Sequence, residues 1–140
     1  MSITGGCLCG TVRYRIDAEP LTVRLCWCRL CQYLGAGNGT VNAAFAADKV
    51  EIEGRFAERE DIADSGNHLY RAFCAQCGTP LFSRAAERPH LLFVRVGSLD
   101  DPERVRPAAN IWTEAAPSWA TLDPRLEQFG RQAPPAVLPS

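Results

Sequence analysis

Hydrophobic and polar residues alternate along this chain in short runs, which is the pattern of β-strands. In the segment TVRYRI, Val12, Tyr14 and Ile16 are separated by two arginines, so one face is apolar and the other polar. Similar runs predict strands at residues 21–26, 40–45, 49–53, 69–73, 79–83, 90–96 and 110–113, with turn residues between them, as at 65–67. The most apolar run, HLLFVRV, predicts a central strand. Because no segment keeps a 3.6-residue period, we expect a mainly β fold with at most a short helical turn, for instance at residues 102–105.

Length and composition are those of one globular domain. The chain has 140 residues, of which 46% are hydrophobic and 22% charged. This length is sufficient to bury a core. We expect a single domain over residues 1–130, followed by a proline-rich tail at residues 131–140, RQAPPAVLPS, that packs loosely.

Charge and the first residues indicate the cellular setting. Fifteen basic residues against 16 acidic ones give a net charge of -1, so no basic surface for nucleic acid is expected. The start MSITGGCLCG lacks the basic and apolar regions of a signal peptide, and no run is long enough to span a bilayer. We therefore expect a cytoplasmic protein without membrane partners. In that compartment, clustered cysteines favour metal binding or catalysis over disulfides.

Four of the seven cysteines form two pairs that are far apart in the sequence. Cys7 and Cys9 are two residues apart, and Cys74 and Cys77 form a C-x-x-C followed by Gly78. Either pair can direct both sulfurs at one ion, and Gly78 gives the second turn its backbone freedom. Four thiolates predict a closed structural zinc site. Buried apolar cysteines and a redox C-x-x-C are the alternatives, although a redox motif expects a helix where the strand-like TPLFSR follows.

The remaining cysteines, Cys26, Cys28 and Cys31, lie within C-W-C-R-L-C. Three thiolates on zinc leave a fourth coordination position open, as catalytic zinc sites do. A substrate thiol bound there would ionise and attack a small electrophile such as an aldehyde. An empty site, a disulfide between two of the three, or closure by a fourth protein ligand are the alternatives. The two histidines, His68 and His90, are more typical of surface or hydrogen-bonded residues than of ligands.

Five segments carry a resemblance to a known family: GGCLCGTVRY, CWCRLCQYLGA, FCAQCGTPLF, VRVGSLDDP, and NIWTEAAPSW followed by LEQF. From Gly6 to about Phe129 the chain resembles the glutathione-dependent formaldehyde-activating enzymes, with which the centromere protein V group is classed. The resemblance implies a β-tent fold of short antiparallel strands and hairpins braced by zinc. It implies a carbon–sulfur lyase that adds the thiol of glutathione to formaldehyde, giving S-hydroxymethylglutathione. It also implies a structural zinc on Cys7, Cys9, Cys74 and Cys77, and a second, open zinc site on Cys26, Cys28 and Cys31.

Three positions depart from the family pattern. Trp27 stands where a histidine is usual, Asn110 replaces a later histidine, and Ala116 replaces a basic residue. These changes remove groups that could orient a proton or pair with a glutathione carboxylate. Three hypotheses follow: a lyase for glutathione and formaldehyde or a similar electrophile, a lyase for a different thiol adduct, and a non-catalytic zinc-stabilised binding module.

Other features bear on the surroundings of the three clustered cysteines. The glycine-rich GAGNG at residues 35–39 lacks the lysine of a phosphate-binding loop. It predicts a loop whose backbone can come close to a ligand. Trp112, Trp119 and Phe129 are typical core aromatics that could also line a substrate pocket. Arg95, on the apolar strand, is either a paired interior charge or faces outward.

Overall fold

The computed structural model describes residues 2–63 and 66–139, and over these ranges it is mainly β. The strands are β1 (Ile3–Gly6), β2 (Arg13–Ile16), β3 (Thr22–Cys26), β4 (Thr40–Ala46), β5 (Val50–Glu53), β6 (Ala57–Ile62), β7 (His68–Phe73), β8 (Pro80–Ala85), β9 (Leu91–Arg95), β10 (Ala109–Ile111) and β11 (Glu127–Gln128). One α-helix, α1, spans Arg29–Leu34, and 3-10 helices span Ala47–Lys49, Val96–Ser98, Pro102–Arg104 and Thr113–Ala115. No helix in the described ranges is long and apolar enough to cross a membrane.

The strands form two sheets. The smaller sheet has the order β1-β2-β5 and is antiparallel throughout. The larger sheet has the order β11-β10-β3-β4-β9-β8-β7-β6 and is antiparallel from β3 to β6, whereas β10 runs parallel to both β3 and β11. The mainly β fold of short antiparallel strands is confirmed, and β9 lies in the interior of the larger sheet as predicted.

The core lies between the two sheets. Val23, Ala43 and Val94 lie opposite one another on β3, β4 and β9, and all three are buried. From the smaller sheet, Tyr14 packs edge-to-face on Phe82 with ring centroids 5.1 Å apart. The apolar face predicted from the alternating residues is therefore the inner face of each sheet.

Three strands and the α-helix were not predicted. Strand β6, AEREDI, is a mostly exposed edge strand whose charged residues hide the alternation, and β1 and β11 are only 4 and 2 residues long. Helix α1 has 6 residues, too few to show a helical period. The helical turn predicted near residue 102 is confirmed by the 3-10 helix Pro102–Arg104. The turn predicted at residues 65–67 begins outside the described residues.

The C-terminal segment packs more closely than its proline content suggests. Ala133 is buried in one cluster with cysteines of β3 and α1, and Ala136 is buried against the next part of the same sheet face. The carbonyl oxygen of Pro134 accepts a hydrogen bond from Arg24 Nη2 at 2.5 Å. The expectation of a loose tail is therefore not met at these positions, because small side chains fit the sheet surface closely.

Two buried amide side chains differ in how well they are satisfied. Gln32 Nε2 donates to the carbonyl oxygens of Trp27 at 2.7 Å and Ala115 at 2.9 Å. Asn110 is fully buried, yet its amide nitrogen and oxygen have no hydrogen-bond partner among the described residues. A buried polar group without a partner lowers stability, whereas a bonded one does not.

We predict opposite effects of removing these two amides. Asn110→Leu should leave the free energy of unfolding unchanged or raise it by up to about 2 kcal/mol, because a desolvated, unpaired amide is removed. Gln32→Met should lower it by about 1–3 kcal/mol, because two buried carbonyls lose their donor. Urea unfolding of both variants under identical metal conditions measures the difference. A clear destabilisation by Asn110→Leu would show that this amide is satisfied in solution.

Truncation after Gly130 should lower the free energy of unfolding by about 2–4 kcal/mol, since the buried alanines and the hydrogen bond to Arg24 are lost. Truncation after Val137 is the matched control, because it leaves both buried alanines in place. Thermal unfolding of the two shortened chains tests this. Equal stability of both would contradict the packing described here.

Candidate metal centres

Four cysteine sulfurs converge from two turns that belong to different sheets. Cys7 and Cys9 lie between β1 and β2, and Cys74 and Cys77 lie between β7 and β8. All four sulfurs lie within 4.8 Å of one another, and Cys9 Sγ is 3.6 Å from Cys7 Sγ and 3.7 Å from Cys74 Sγ. Tetrahedral zinc with Zn–S bonds of about 2.3 Å holds sulfurs roughly 3.8 Å apart. This group, called here the sulfur quartet, therefore fits a tetrahedral ion.

Two glycines shape these turns. Gly10 has φ +81° and donates its N–H to the carbonyl oxygen of Cys7 at 3.1 Å. Gly78 has φ +77° and donates to the carbonyl oxygen of Cys74 at 2.9 Å. Neither position is crowded, so glycine is required there for its left-handed backbone. Both turns curl back on themselves and direct their sulfurs to a common point.

Hydrogen bonds to the quartet favour the thiolate form. The backbone N–H of Val12 donates to Cys7 Sγ at 3.2 Å, and the N–H of Cys77 donates to Cys74 Sγ at 3.5 Å. The Thr79 hydroxyl lies 3.1 Å from Cys77 Sγ, and hydrogen bonds from this hydroxyl and the Thr79 backbone lower the pKa of Cys77 to about 5. Metal binding requires deprotonated sulfur, so this environment suits a metal ligand.

The second group, called here the sulfur trio, consists of Cys26, Cys28 and Cys31. Its sulfurs lie within 4.8 Å of one another. Cys26 ends β3, Cys28 caps α1 by accepting the N–H of Cys31 at 3.4 Å, and Cys31 lies in α1. Cys26 and Cys31 are buried, whereas Cys28 is only half-buried. All seven cysteines are free thiols, which leaves both groups available to a metal.

The larger sheet places polar side chains beside the trio. Thr40 on β4 lies opposite Cys26, and Asn42 lies opposite Arg95 on β9, so all four share the outer face of the sheet. The sulfurs of Cys26 and Cys28, then the Thr40 hydroxyl and the charge of Arg95, lower the pKa of Cys31 against the effect of burial. Interaction with the other sulfurs raises the pKa of Cys26, and the pKa of Cys28 is also raised, so without a metal the trio favours one negative charge, at Cys31.

Two of the three late aromatic residues, interpreted above as core residues that could also line a pocket, lie beside the trio. Trp112 and Phe129 pack in the same cluster as the trio, whereas Trp119 is 68% exposed. Trp112 adopts a left-handed backbone with φ 57°, and its Nε1 donates to Gln132 Oε1 at 3.1 Å. A non-glycine residue in this conformation is strained and is held only where its surroundings fix it. Trp112 and Phe129 therefore line one side of the trio.

The GAGNG loop also lies against the trio. Gly35 donates its N–H to the carbonyl oxygen of Cys31 at 2.7 Å. A Cβ on Gly39 would lie 2.6 Å from the carbonyl oxygen of Cys26, so only glycine fits this approach. The loop follows the trio directly in space as well as in sequence, which places its backbone beside the trio.

The three departures from the family pattern have different surroundings. Trp27 is buried, and its backbone N–H donates to the carbonyl oxygen of Ile111 at 3.0 Å. Because Ile111 packs with the trio, its neighbour Asn110 lies on the opposite face of β10. Ala116 ends the 3-10 helix Thr113–Ala115, whose last carbonyl accepts from Gln32 on α1. Asn110 therefore lies on the inner face of the sheet, away from the sulfurs.

Sequence reasoning missed the polar residues that support the trio. Gln32 connects the loop before α1 to the segment before Ala116, because its side chain donates hydrogen bonds to a carbonyl oxygen of each. Thr40 and Asn42 are ordinary strand residues in the sequence, and their roles depend on register. In the sequence, these supporting residues were indicated only by Arg95, a charged residue within an apolar run. The structure shows that Arg95 is buried. His68 instead pairs with Glu60 at the sheet edge, 3.0 Å away.

Comparisons with known proteins identify the family of this chain. The family model described as "Glutathione-dependent formaldehyde-activating enzyme" matches residues 2–115. A Halomonas elongata protein with the provisional name of a glutathione-dependent formaldehyde-activating enzyme is 27% identical over 138 residues, covering 89% of this chain and 83% of its own. The crystal structure of a Rhodobacter sphaeroides protein shares the fold, with a TM-score of 0.57 at 22% identity, over 74% of this chain and 91% of that one. The chain belongs to the glutathione-dependent formaldehyde-activating enzyme family.

Proposed function

We propose that the protein is a zinc-dependent carbon–sulfur lyase that activates a small thiol, glutathione in the first instance, for reversible addition to formaldehyde or a similar small electrophile. The observation that carries this proposal is the sulfur trio, in which three thiols converge and only Cys28 reaches toward solvent. A set of three protein ligands with an open position is typical of catalytic zinc. The name of the Halomonas relative supports the same substrates.

The sulfur quartet is assigned a structural role in this proposal. Cys7, Cys9, Cys74 and Cys77 supply a complete tetrahedral ligand set, so a bound zinc would have no vacant position for a substrate. Cys7 and Cys74 are buried, which separates this group from solvent on one side. The quartet would join the two sheets at one end and would not take part in the reaction.

At the trio, a bound zinc ion would supply a Lewis-acid position at which a thiol ionises near neutral pH. The protein's own residues prepare that position. Cys26 and Cys31 are held in the sheet and helix, while Ala133, Trp112 and Phe129 cover the cluster and limit water access. Cys28 marks the side from which a small thiol can approach.

The reaction is balanced without a further co-reactant. A bond forms between the thiol sulfur and the carbonyl carbon, and the proton released by the thiol ends on the carbonyl oxygen. Neither histidine belongs to the described cluster around the trio, so solvent water is the proposed proton carrier. The reverse reaction breaks the same carbon–sulfur bond. A cytoplasmic location belongs to the proposal, because the thiols stay reduced there.

Metal analysis is the first test. We predict two zinc ions per purified chain, of which a mild chelator removes one without loss of the β-sheet circular dichroism signal. Removing both ions should unfold the protein, because structural zinc supplies on the order of 10 kcal/mol in small zinc domains. A chain that holds a single tightly bound ion would favour a non-catalytic zinc-stabilised module.

Substitution of one trio ligand is the second test. Cys28→Ser should retain one zinc ion and the fold, while formation of S-hydroxymethylglutathione should fall to the uncatalysed rate. Exchange NMR of glutathione and formaldehyde at equilibrium measures this rate. Turnover equal to that of the unaltered protein would exclude the trio from the chemistry. Two bound ions with no turnover of glutathione would instead support a lyase for a different thiol adduct. This is the next candidate because Ala116 replaces a basic residue of the family pattern.

A further inference from the structure

Arg95 is a buried cation for which the described residues supply no carboxylate partner. Its residue is 9% exposed. None of the ion pairs found within residues 2–63 and 66–139 includes it. By contrast Arg71, whose side chain is 15% exposed, is paired with Asp61. A buried guanidinium requires a compensating negative charge, since the cost of desolvating an unpaired ion is several kcal/mol.

The position of this guanidinium is fixed by two neighbours on β4. Arg95 Nη1 donates to Asn42 Oδ1 at 2.5 Å and lies 3.5 Å from Thr40 Oγ1. Asn42 Nδ2 in turn donates to Thr40 Oγ1 at 3.1 Å. Thr40 lies opposite Cys26 in the register of β3 and β4, so the guanidinium held in this way lies on the trio's side of the outer sheet face. Two neutral side chains therefore hold a cation beside the sulfurs.

The charges of the site sum to zero when the trio carries a divalent metal ion. Three thiolates and one divalent cation together bear one negative charge, which a single guanidinium cancels. Three neutral thiols would leave Arg95 uncompensated in the interior. A single thiolate would also balance Arg95, but ionisation of all three adjacent sulfurs requires a metal cation.

We propose that Arg95 is a positioning residue for the second metal site: held beside the trio by Asn42 and Thr40, it neutralises the loaded trio and thereby holds the sulfurs for a divalent ion with one vacant coordination position. This inference rests on the proposed function, because it requires that the trio binds metal. It goes beyond that proposal in assigning to β9 and β4 the control of metal affinity at a site whose ligands lie on β3 and α1.

Cobalt titration of the full-length protein tests the proposal. Unaltered protein, Arg95→Met, Arg95→Lys and the control Arg59→Met are compared, since the Arg59 side chain is 69% exposed on the same sheet. Arg95→Met should weaken the binding of one of the two cobalt ions by about 10–100-fold in competition with a chromophoric chelator, as loss of a group that supports the ligands does. The sulfur-to-cobalt charge-transfer band should move to lower energy, because the thiolates lose a neighbouring positive charge. Arg95→Lys should recover part of the affinity, and Arg59→Met should match the unaltered protein.

The outcomes separate the two ideas. If the unaltered chain binds only one ion, both the catalytic site and the role of Arg95 are wrong. If it binds two and Arg95→Met binds them equally well with an unshifted band, only the role of Arg95 is wrong. Should Arg95→Met fail to fold, Asn42→Ala is the substitute, because it frees the guanidinium without altering a sulfur or a charge. Unchanged affinity and spectrum in Asn42→Ala would then overturn the inference.

Discussion

The convergence of four cysteine sulfurs from two sheets is the constraint on which the rest of this structure depends. Cys7 and Cys9 belong to the β1–β2 turn of the smaller sheet, and Cys74 and Cys77 to the β7–β8 turn of the larger one. The apolar core between the sheets also holds the two sheets together. Net stability of a domain is only about 5–15 kcal/mol, and a structural zinc contributes on the order of 10 kcal/mol. An ion at this junction would therefore decide whether the two sheets stay together.

The two faces of the larger sheet carry different groups. Its inner face, with Ala43 and Val94, packs on the smaller sheet, while its outer face carries Cys26, Thr40 and Arg95. Cys26 thus rests on an interior strand, whereas Cys28 caps helix α1 and Cys31 lies within it. Side chains on interior strands keep their geometry well, which a site with one open coordination position would require. The rest of the surroundings is formed by helix α1 and the C-terminal segment.

Spacing along the chain predicted both sulfur groups, because cysteines separated by only one or two residues have a local geometry that depends little on the rest of the fold. The mainly β fold followed from alternation of the kind seen in TVRYRI. The support of the trio could not be predicted in the same way. Asn42 and Arg95 are separated by 53 residues and meet only through the register of β4 and β9. Ala133 likewise looks like part of a loose proline-rich tail until the sheet surface that receives it is known.

The two sulfur groups differ in charge as well as in number, and this difference bears on reactivity. A divalent ion on four thiolates would leave two negative charges, which hydrogen-bond donors such as Thr79 would stabilise. The trio with a divalent ion and Arg95 is neutral as long as its fourth ligand is neutral. Binding of a substrate as thiolate would then place one uncompensated negative charge in a largely buried site. Such a charge is costly to keep and favours transfer of the sulfur to an electrophile, so the same arginine that stabilises the loaded trio would also keep its thiol ligand reactive.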